Sequence, residues 1–162
     1  MAYVYACEFP PHLWYHVERD VWIEKIDKRL VRLGMTDPAQ TRAGKLLHVN
    51  VRSHRLVQAG KTIATIESGK WLGPFPAPVP GVVVAENTLV QQDPNVINRD
   101  PYGQGWIVVF EAAVGEEVWP QYDIAMGISA VDAYRQKLKR DGLTCLRCAP
   151  WAPADNPGQE MT

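Results

Sequence analysis

Short apolar runs with polar residues at alternate positions recur along most of the chain, and Gly, Pro, Asn and Asp punctuate them. A period of two with β-branched and aromatic residues predicts strands at residues 13–17, 21–26, 31–35, 46–51, 62–66, 81–84 and 105–110. Glu18-Arg19-Asp20 reads as a hairpin turn between the first two. Residues 73–81 hold Pro74, Pro76, Pro78 and Pro80. Each proline lacks the N–H that a central ladder needs, so this stretch is an edge or an extended return. Many short strands between turn residues predict a mainly β fold, a sandwich or a barrel.

Helical periodicity enters at few places. Thr36 has the chemistry of an N-cap, Asp37 and Pro38 suit a first turn, and Gly44 supplies a stop, which predicts a short helix over 37–43. Residues 94–97 fit one helical turn. After Phe110 the period changes. Ser129 is placed to cap a helix, with Asp132 three residues on; Ile128, Val131, Tyr134 and Leu138 fall on one face, Lys137, Lys139 and Arg140 lie in the last turn, and Gly142 ends it. The pattern divides the chain into an N-terminal arm at 1–11, loosely attached beyond Pro10-Pro11, a domain at 12–142, and a cysteine-bearing flexible tail at 143–162. Its Pro- and Ala-rich end, 149–162, is expected to be disordered.

The strand at 62–66 runs into Glu67-Ser68-Gly69-Lys70-Trp71. Gly69 at the first central position suits a type II′ turn, which needs positive φ there. Lys70 is then exposed at the apex of a hairpin.

Composition narrows the function. Hydrophobic residues make up 46% of the 162, enough for a packed core. With 17 Lys+Arg against 18 Asp+Glu the net charge is −1, so there is no electrostatic case for nucleic-acid or membrane-surface binding. The first residues do not pattern as a signal peptide, and no apolar run reaches the roughly 20 residues of a membrane span. The 3 cysteines, an odd number without a disulfide framework, suggest a reducing cytoplasm. The histidines His12, His16, His48 and His54 lack metal-ligand spacing; no metal site, catalytic triad or phosphate-cradling loop is visible.

Three patches in order resemble the H protein of the glycine cleavage system and its lipoate-carrying relatives. Thr36-Asp37-Pro38-Ala39-Gln40 looks like that family's short helix. Glu67-Ser68-Gly69-Lys70, with Gly81 beyond, looks like its lipoylation hairpin. Pro101-Tyr102-Gly103-Gln104-Gly105-Trp106 looks like its Pro-Tyr-Gly segment. The likeness spans roughly residues 13–110. It implies a barrel–sandwich hybrid with a C-terminal helix, lipoate in amide linkage to Lys70, and a carrier protein rather than an enzyme. Glu67, Gly69 and Trp71 would then contact the arm or the modifying lipoate-protein ligase or lipoyl transferase, and a lipoamide-dehydrogenase-type enzyme could reoxidise it. The dithiolane at the arm's end exchanges with thiols and holds a group in transit.

Two features depart from the glycine cleavage pattern. Trp71-Leu72-Gly73-Pro74 replaces small and acidic residues after the lysine, and Cys145-Leu146-Arg147-Cys148 lies in the tail. Both resemble the lipoate-binding proteins of bacterial sulfur oxidation, which work with a heterodisulfide-reductase-like complex. That resemblance implies a sulfur cargo; the alternative is an aminomethyl group in glycine cleavage. A thiol–disulfide oxidoreductase using Cys145 and Cys148 and an unmodified scaffold are the readings from other classes. Trp71 is equally a packing residue, and an exposed hairpin lysine is ordinarily a solubilising one.

Overall fold

The computed structural model describes residues 2–52 and 54–146. In chain order its strands are β1 (Ala2–Val4), β2 (Cys7–Phe9), β3 (Trp14–His16), β4 (Val21–Asp27), β5 (Leu30–Met35), β6 (Leu46–Val51), β7 (Thr62–Ser68), β8 (Leu72–Pro76), β9 (Gly81–Glu86), β10 (Val108–Ala112) and β11 (Ile124–Met126). The helices are α1 (Asp37–Ala43), α2 (Thr88–Gln92), α3 (Val96–Arg99) and α4 (Ile128–Asp141), with a 3-10 segment at Glu116–Tyr122.

Two antiparallel sheets form the frame, one ordered β11-β3-β4-β5-β10-β9 and the other β6-β7-β8. Alternation sends one face of each inward. Val21, Ile23, Leu33 and Phe110 of the larger sheet and Val49, Ile63, Ile66 and Phe75 of the smaller enter one buried cluster. Ile23 stands opposite Leu33, and Leu33 opposite Val108, so the inward register continues across three strands. This is the mainly β barrel–sandwich architecture with a C-terminal helix that the sequence predicts. Strand β8 is the edge that its prolines require, and β7 is central, paired with β6 and β8. At Gly81 a β-carbon would overlap the Glu111 carbonyl and the Phe110 ring, so this glycine serves close strand approach.

The N-terminal arm is not loose. Residues 2–9 form a hairpin, β1–β2, whose Val4, Cys7 and Phe9 are buried with Tyr15, Tyr134 and Leu138 in a second cluster beneath α4. Phe9 stacks on Tyr134 with ring centroids 4.4 Å apart. Pro10 ends β2 without detaching it: Tyr15 Oη donates to the Pro10 carbonyl at 2.6 Å.

The cysteine reading also changes. Cys7 and Cys145 form a disulfide across 138 residues, with Cα atoms 4.8 Å apart. An odd cysteine count does not preclude one bridge; the two termini meet on the second cluster, which sequence spacing does not reveal. Cys145 N donates to the Tyr5 carbonyl at 3.0 Å, so residues 143–146 follow the N-terminal hairpin rather than leaving the domain. The expected disorder of 149–162 lies outside the described residues.

Helix α4 starts earlier than its predicted Ser129 cap. Gly127, with φ of 59°, precedes it and makes no side-chain cap. Val131, Tyr134 and Leu138 are buried as expected, but Ile128 is 80% exposed at the overhanging first turn. Lys137 is not a solvated terminal cation: it is buried, and its Nζ donates to the Val17 and Glu18 carbonyls at 2.7 and 3.1 Å and pairs with Asp20 at 3.2 Å.

Candidate functional site

The hairpin of β7 and β8 holds Lys70 at its apex. Ser68 N donates to the Trp71 carbonyl at 2.8 Å, closing a two-residue loop, and Lys70 N donates to Ser68 Oγ at 3.3 Å. Gly69 is not among the positive-φ glycines, so the predicted type II′ turn is not formed; the buried Ser68 hydroxyl organises the loop instead. No atom would lie within 4 Å of a β-carbon at Gly69 apart from its immediate neighbours, so the tip is open. Glu67, Gly69, Lys70, Trp71 and Leu72 are all exposed, with Glu67 opposite Leu72 and His48 across the ladders.

The lysine stem rests on a second element. A β-carbon at Gly44 would stand 3.0 Å from Lys70 Cε. Gly44 ends α1 with φ of 78°, its N–H donating to the Gln40 carbonyl at 3.0 Å. A buried polar network fixes this corner. Asn98 Nδ2 donates to Gly44 O at 2.8 Å and to Gln40 Oε1 at 3.0 Å, while Asn98 Oδ1 accepts from Leu46 N at 2.9 Å. Gln40 Nε2 donates to Asp37 Oδ1 at 2.8 Å, and Asp37 N donates to Tyr102 Oη at 2.9 Å. Thus the 36–40 and 101–106 motifs meet through Asp37 and Tyr102, and together they set the end of α1 under the lysine. Desolvation by the residues packed around it raises the Tyr102 hydroxyl well above the ordinary tyrosine range.

Beside the lysine lies a groove of about 110 Å³, walled by Met35, Ile66, Trp71, Pro74 and Phe75 and edged by Arg19 and Arg42. Trp71 takes the packing role considered for it and also faces the groove. It is 37% exposed and lines the groove, and its indole packs over Gly73, where a β-carbon would overlap the ring. His16, at the turn below, accepts from Arg19 N through Nδ1 at 3.2 Å; burial and then the nearby Arg19 charge hold its pKa below the ordinary histidine range.

The exposed stem of Lys70, the glycine floor beneath it and the adjoining apolar groove fit an extended acyl arm on the lysine. Sequence reasoning identified Lys70, Gly69, Glu67 and Trp71, and the structure brings them together. It missed Asn98 and the position of Gly44 beneath the lysine. Gly44 was legible as a helix stop, but its spatial neighbour was not; Asn98 carries no local signal.

The predicted pairing of Cys145 with Cys148 meets a different partner for Cys145. Cys145 is joined to Cys7 and is buried at 7% exposure, and Cys148 lies outside the described residues. Its sequence neighbourhood suggested an exchange pair because spacing alone carries no information on the distant Cys7. Among the described residues, no three His, Cys, Asp or Glu side chains are grouped to hold a metal, and no helix is long and apolar enough to cross a membrane.

The fold and motifs have close parallels. The glycine cleavage H-protein profile matches residues 13–123. A glycine cleavage system H protein 3 of Aquifex aeolicus is 41% identical over 145 residues, covering 88% of this chain and 90% of the relative. A probable glycine cleavage system H protein 2 of Sulfolobus acidocaldarius is 39% identical over 144 residues, covering 87% and 95%. The crystal structure of a glycine cleavage system H protein from Mycobacterium marinum superposes with a TM-score of 0.64 at 26% identity, covering 83% of this chain and all of that one. Proteins of this kind are carriers that bear lipoate covalently on a lysine. The chain therefore belongs to the glycine cleavage H-protein family.

Proposed function

We propose that this protein carries lipoate in amide linkage to Lys70 and ferries a lipoate-bound group between enzymes. The observation that carries the assignment is the placement of Lys70, exposed at the apex of a hairpin whose strand β7 is paired on both sides, with its stem over Gly44. A lipoate-protein ligase or lipoyl transferase needs such an amine on a folded hairpin. Lipoate supplies the redox-active dithiolane; this chain supplies attachment, orientation and a sheltering surface. Intact mass and peptide mapping after production with lipoate and a ligase should show the lipoyl increment on the Lys70 peptide and none in Lys70→Arg. The increment on another lysine would overturn the assignment.

Within that role, the names of the relatives support an aminomethyl group in glycine cleavage as the cargo. That reading expects reductive aminomethylation of the arm by glycine decarboxylase and glycine. A second reading is favoured by the arginines at the groove and by Trp71 beside the lysine: an oxidisable sulfur species, exchanged with a heterodisulfide-reductase-like complex in the cytoplasm. Under it, glycine decarboxylase leaves the arm unloaded and a sulfur donor loads it. In either case a lipoamide-dehydrogenase-type enzyme is the expected partner for reoxidation.

A further inference from the structure

We infer that the Cys7–Cys145 disulfide is a redox-controlled clasp on helix α1, and that its closure fixes the support under Lys70. The clasp is a property of the folded chain; its effect on lipoylation rests on attachment of the arm at Lys70.

Each end of the bridge lies one residue from a hydrogen bond to α1. After Cys7, Glu8 N donates at 2.8 Å to Oδ2 of Asp37, the first residue of the helix. After Cys145, Leu146 meets the middle of the helix. Thr41 Oγ1 accepts from Leu146 N at 3.0 Å and donates to its carbonyl at 3.1 Å, and Gln40 Nε2 donates to the same carbonyl at 3.0 Å. Gln40 carries this contact toward the lysine. Its Oε1 accepts from Asn98 Nδ2, which also donates to Gly44 O, and Gly44 lies beneath Lys70 Cε. The bridge thus joins two segments that grip α1 at its start and at its middle, one turn before the end that supports the lysine stem.

Without the covalent link little would keep Leu146 on the helix. Its side chain is 70% exposed, so its tie to α1 is main-chain hydrogen bonding, whose net strength beside water is small. The turn on the other side of the bridge works against closure. Tyr5 and Ala6 have φ of 51° and 63°, a region that non-glycine residues enter at a cost, and the Tyr5 carbonyl is the acceptor for Cys145 N at 3.0 Å. Opening is thiol–disulfide exchange with a dithiol. One thiolate attacks Cys145 Sγ, on the less buried side of the bridge, forms a mixed disulfide and expels the Cys7 thiolate; the second thiolate then displaces Cys145. The dithiol leaves as a disulfide, its two electrons reduce the bridge, and its two protons end on Cys7 and Cys145. Where thiols are kept reduced, a bridge of this kind serves as a sensor.

The test uses the full-length unmodified protein with Cys148→Ser, which leaves only the two bridge cysteines. Peptide mass verifies the oxidised form and the form reduced with dithiothreitol. By NMR, the backbone order parameter of the Gly44 amide should be near about 0.85 in the oxidised protein and fall to about 0.6 on reduction, with the amides of β7 unchanged. The kcat/KM of a lipoate-protein ligase acting on Lys70 should fall about three- to tenfold, the equivalent of one lost hydrogen bond. The double variant Cys7→Ser, Cys145→Ser should match the reduced form without dithiothreitol. Thr41→Val, with the bridge closed, should resemble the reduced form and no longer respond to dithiothreitol, whereas Thr41→Ser should keep the response. An unchanged Gly44 order parameter or ligase kcat/KM on reduction, or a full response in Thr41→Val, would overturn the inference. Loss of order in β7 as well as at Gly44 would also overturn it, because the bridge would then act on the whole domain and not on α1. Absence of the lipoyl increment on the Lys70 peptide of the oxidised protein would overturn the attachment instead, and the clasp would stand or fall on Gly44.

Discussion

Lys70 and Gly44 come from different elements, yet a β-carbon on the glycine would stand 3.0 Å from the lysine Cε. The apex lysine is thus placed by two separate features, the hairpin that lifts it and the helix end that supports its stem. Gly44→Ala should affect both. An alanine at φ of 78° destabilises the α1 terminus by about 1 kcal/mol or more, and its methyl group displaces the stem. A lower melting temperature together with slower lipoylation is the expected result, measured by calorimetry and by a ligase time course.

Lys70→Arg separates chemistry from folding. The side chain is exposed, so stability should change by no more than about 0.5 kcal/mol while the lipoyl increment disappears. Urea unfolding and intact mass on the same preparation check this.

Asn98 is the buried hub of the corner under the lysine. Asn98→Ala leaves Leu46 N and Gly44 O without their partner, and should cost about 2–4 kcal/mol. Because the Asn98 hydrogen bonds go to Leu46, Gln40 and Gly44 and not to Lys70, slower lipoylation of the folded variant would report misplacement of the α1 end. Chemical denaturation gives the first quantity and the ligase assay the second.

The Cys7–Cys145 bridge should contribute about 2–5 kcal/mol. Adding a reductant should lower the urea midpoint of the native protein and leave that of Cys145→Ser unchanged. Cys148→Ser should retain the reductant sensitivity of the native protein.

His16 gives a pH dependence with a defined sign. Its folded-state pKa is lowered, first by burial and then by Arg19. Above the unfolded value of about 6.5 both states are neutral and the stability is fully present. As pH falls, the unfolded state takes up the proton first, so stability is lost until the folded histidine also protonates. Unfolding free energies at about pH 7.5 and about pH 5.5 should differ more in the native protein than in His16→Gln.

How much of this was legible in the sequence follows from how local each signal is. The α1 cap and stop, Thr36 and Gly44, are local and are found where expected, with Thr36 Oγ1 accepting from Ala39 N at 3.4 Å. The prolines located the edge strand β8 for the same reason. The loop at Gly69 misled because a glycine permits positive φ without requiring it, and the Ser68 hydroxyl offered another solution. The N-terminal hairpin was obscured because three-residue strands carry too little pattern to outweigh the Pro10-Pro11 break. Lys137 was obscured because its partners, the carbonyls of residues 17 and 18, are remote in sequence. At the site, the motif residues were legible, whereas Asn98 acts through neighbours that only the folded chain supplies.

Strand β7 is hydrogen-bonded along both edges right up to the turn that bears Lys70. Compliance therefore begins at the lysine side chain and not in the backbone below it. With lipoate on Lys70 as proposed, the protein would work as a stiff handle with a soft tether: the volume swept by the tethered end would be centred on a fixed point and bounded by the sheet behind it. An enzyme drawing a group from such an arm would have to bring its own entrance to that point, because a hairpin paired along both edges does not bend to meet it.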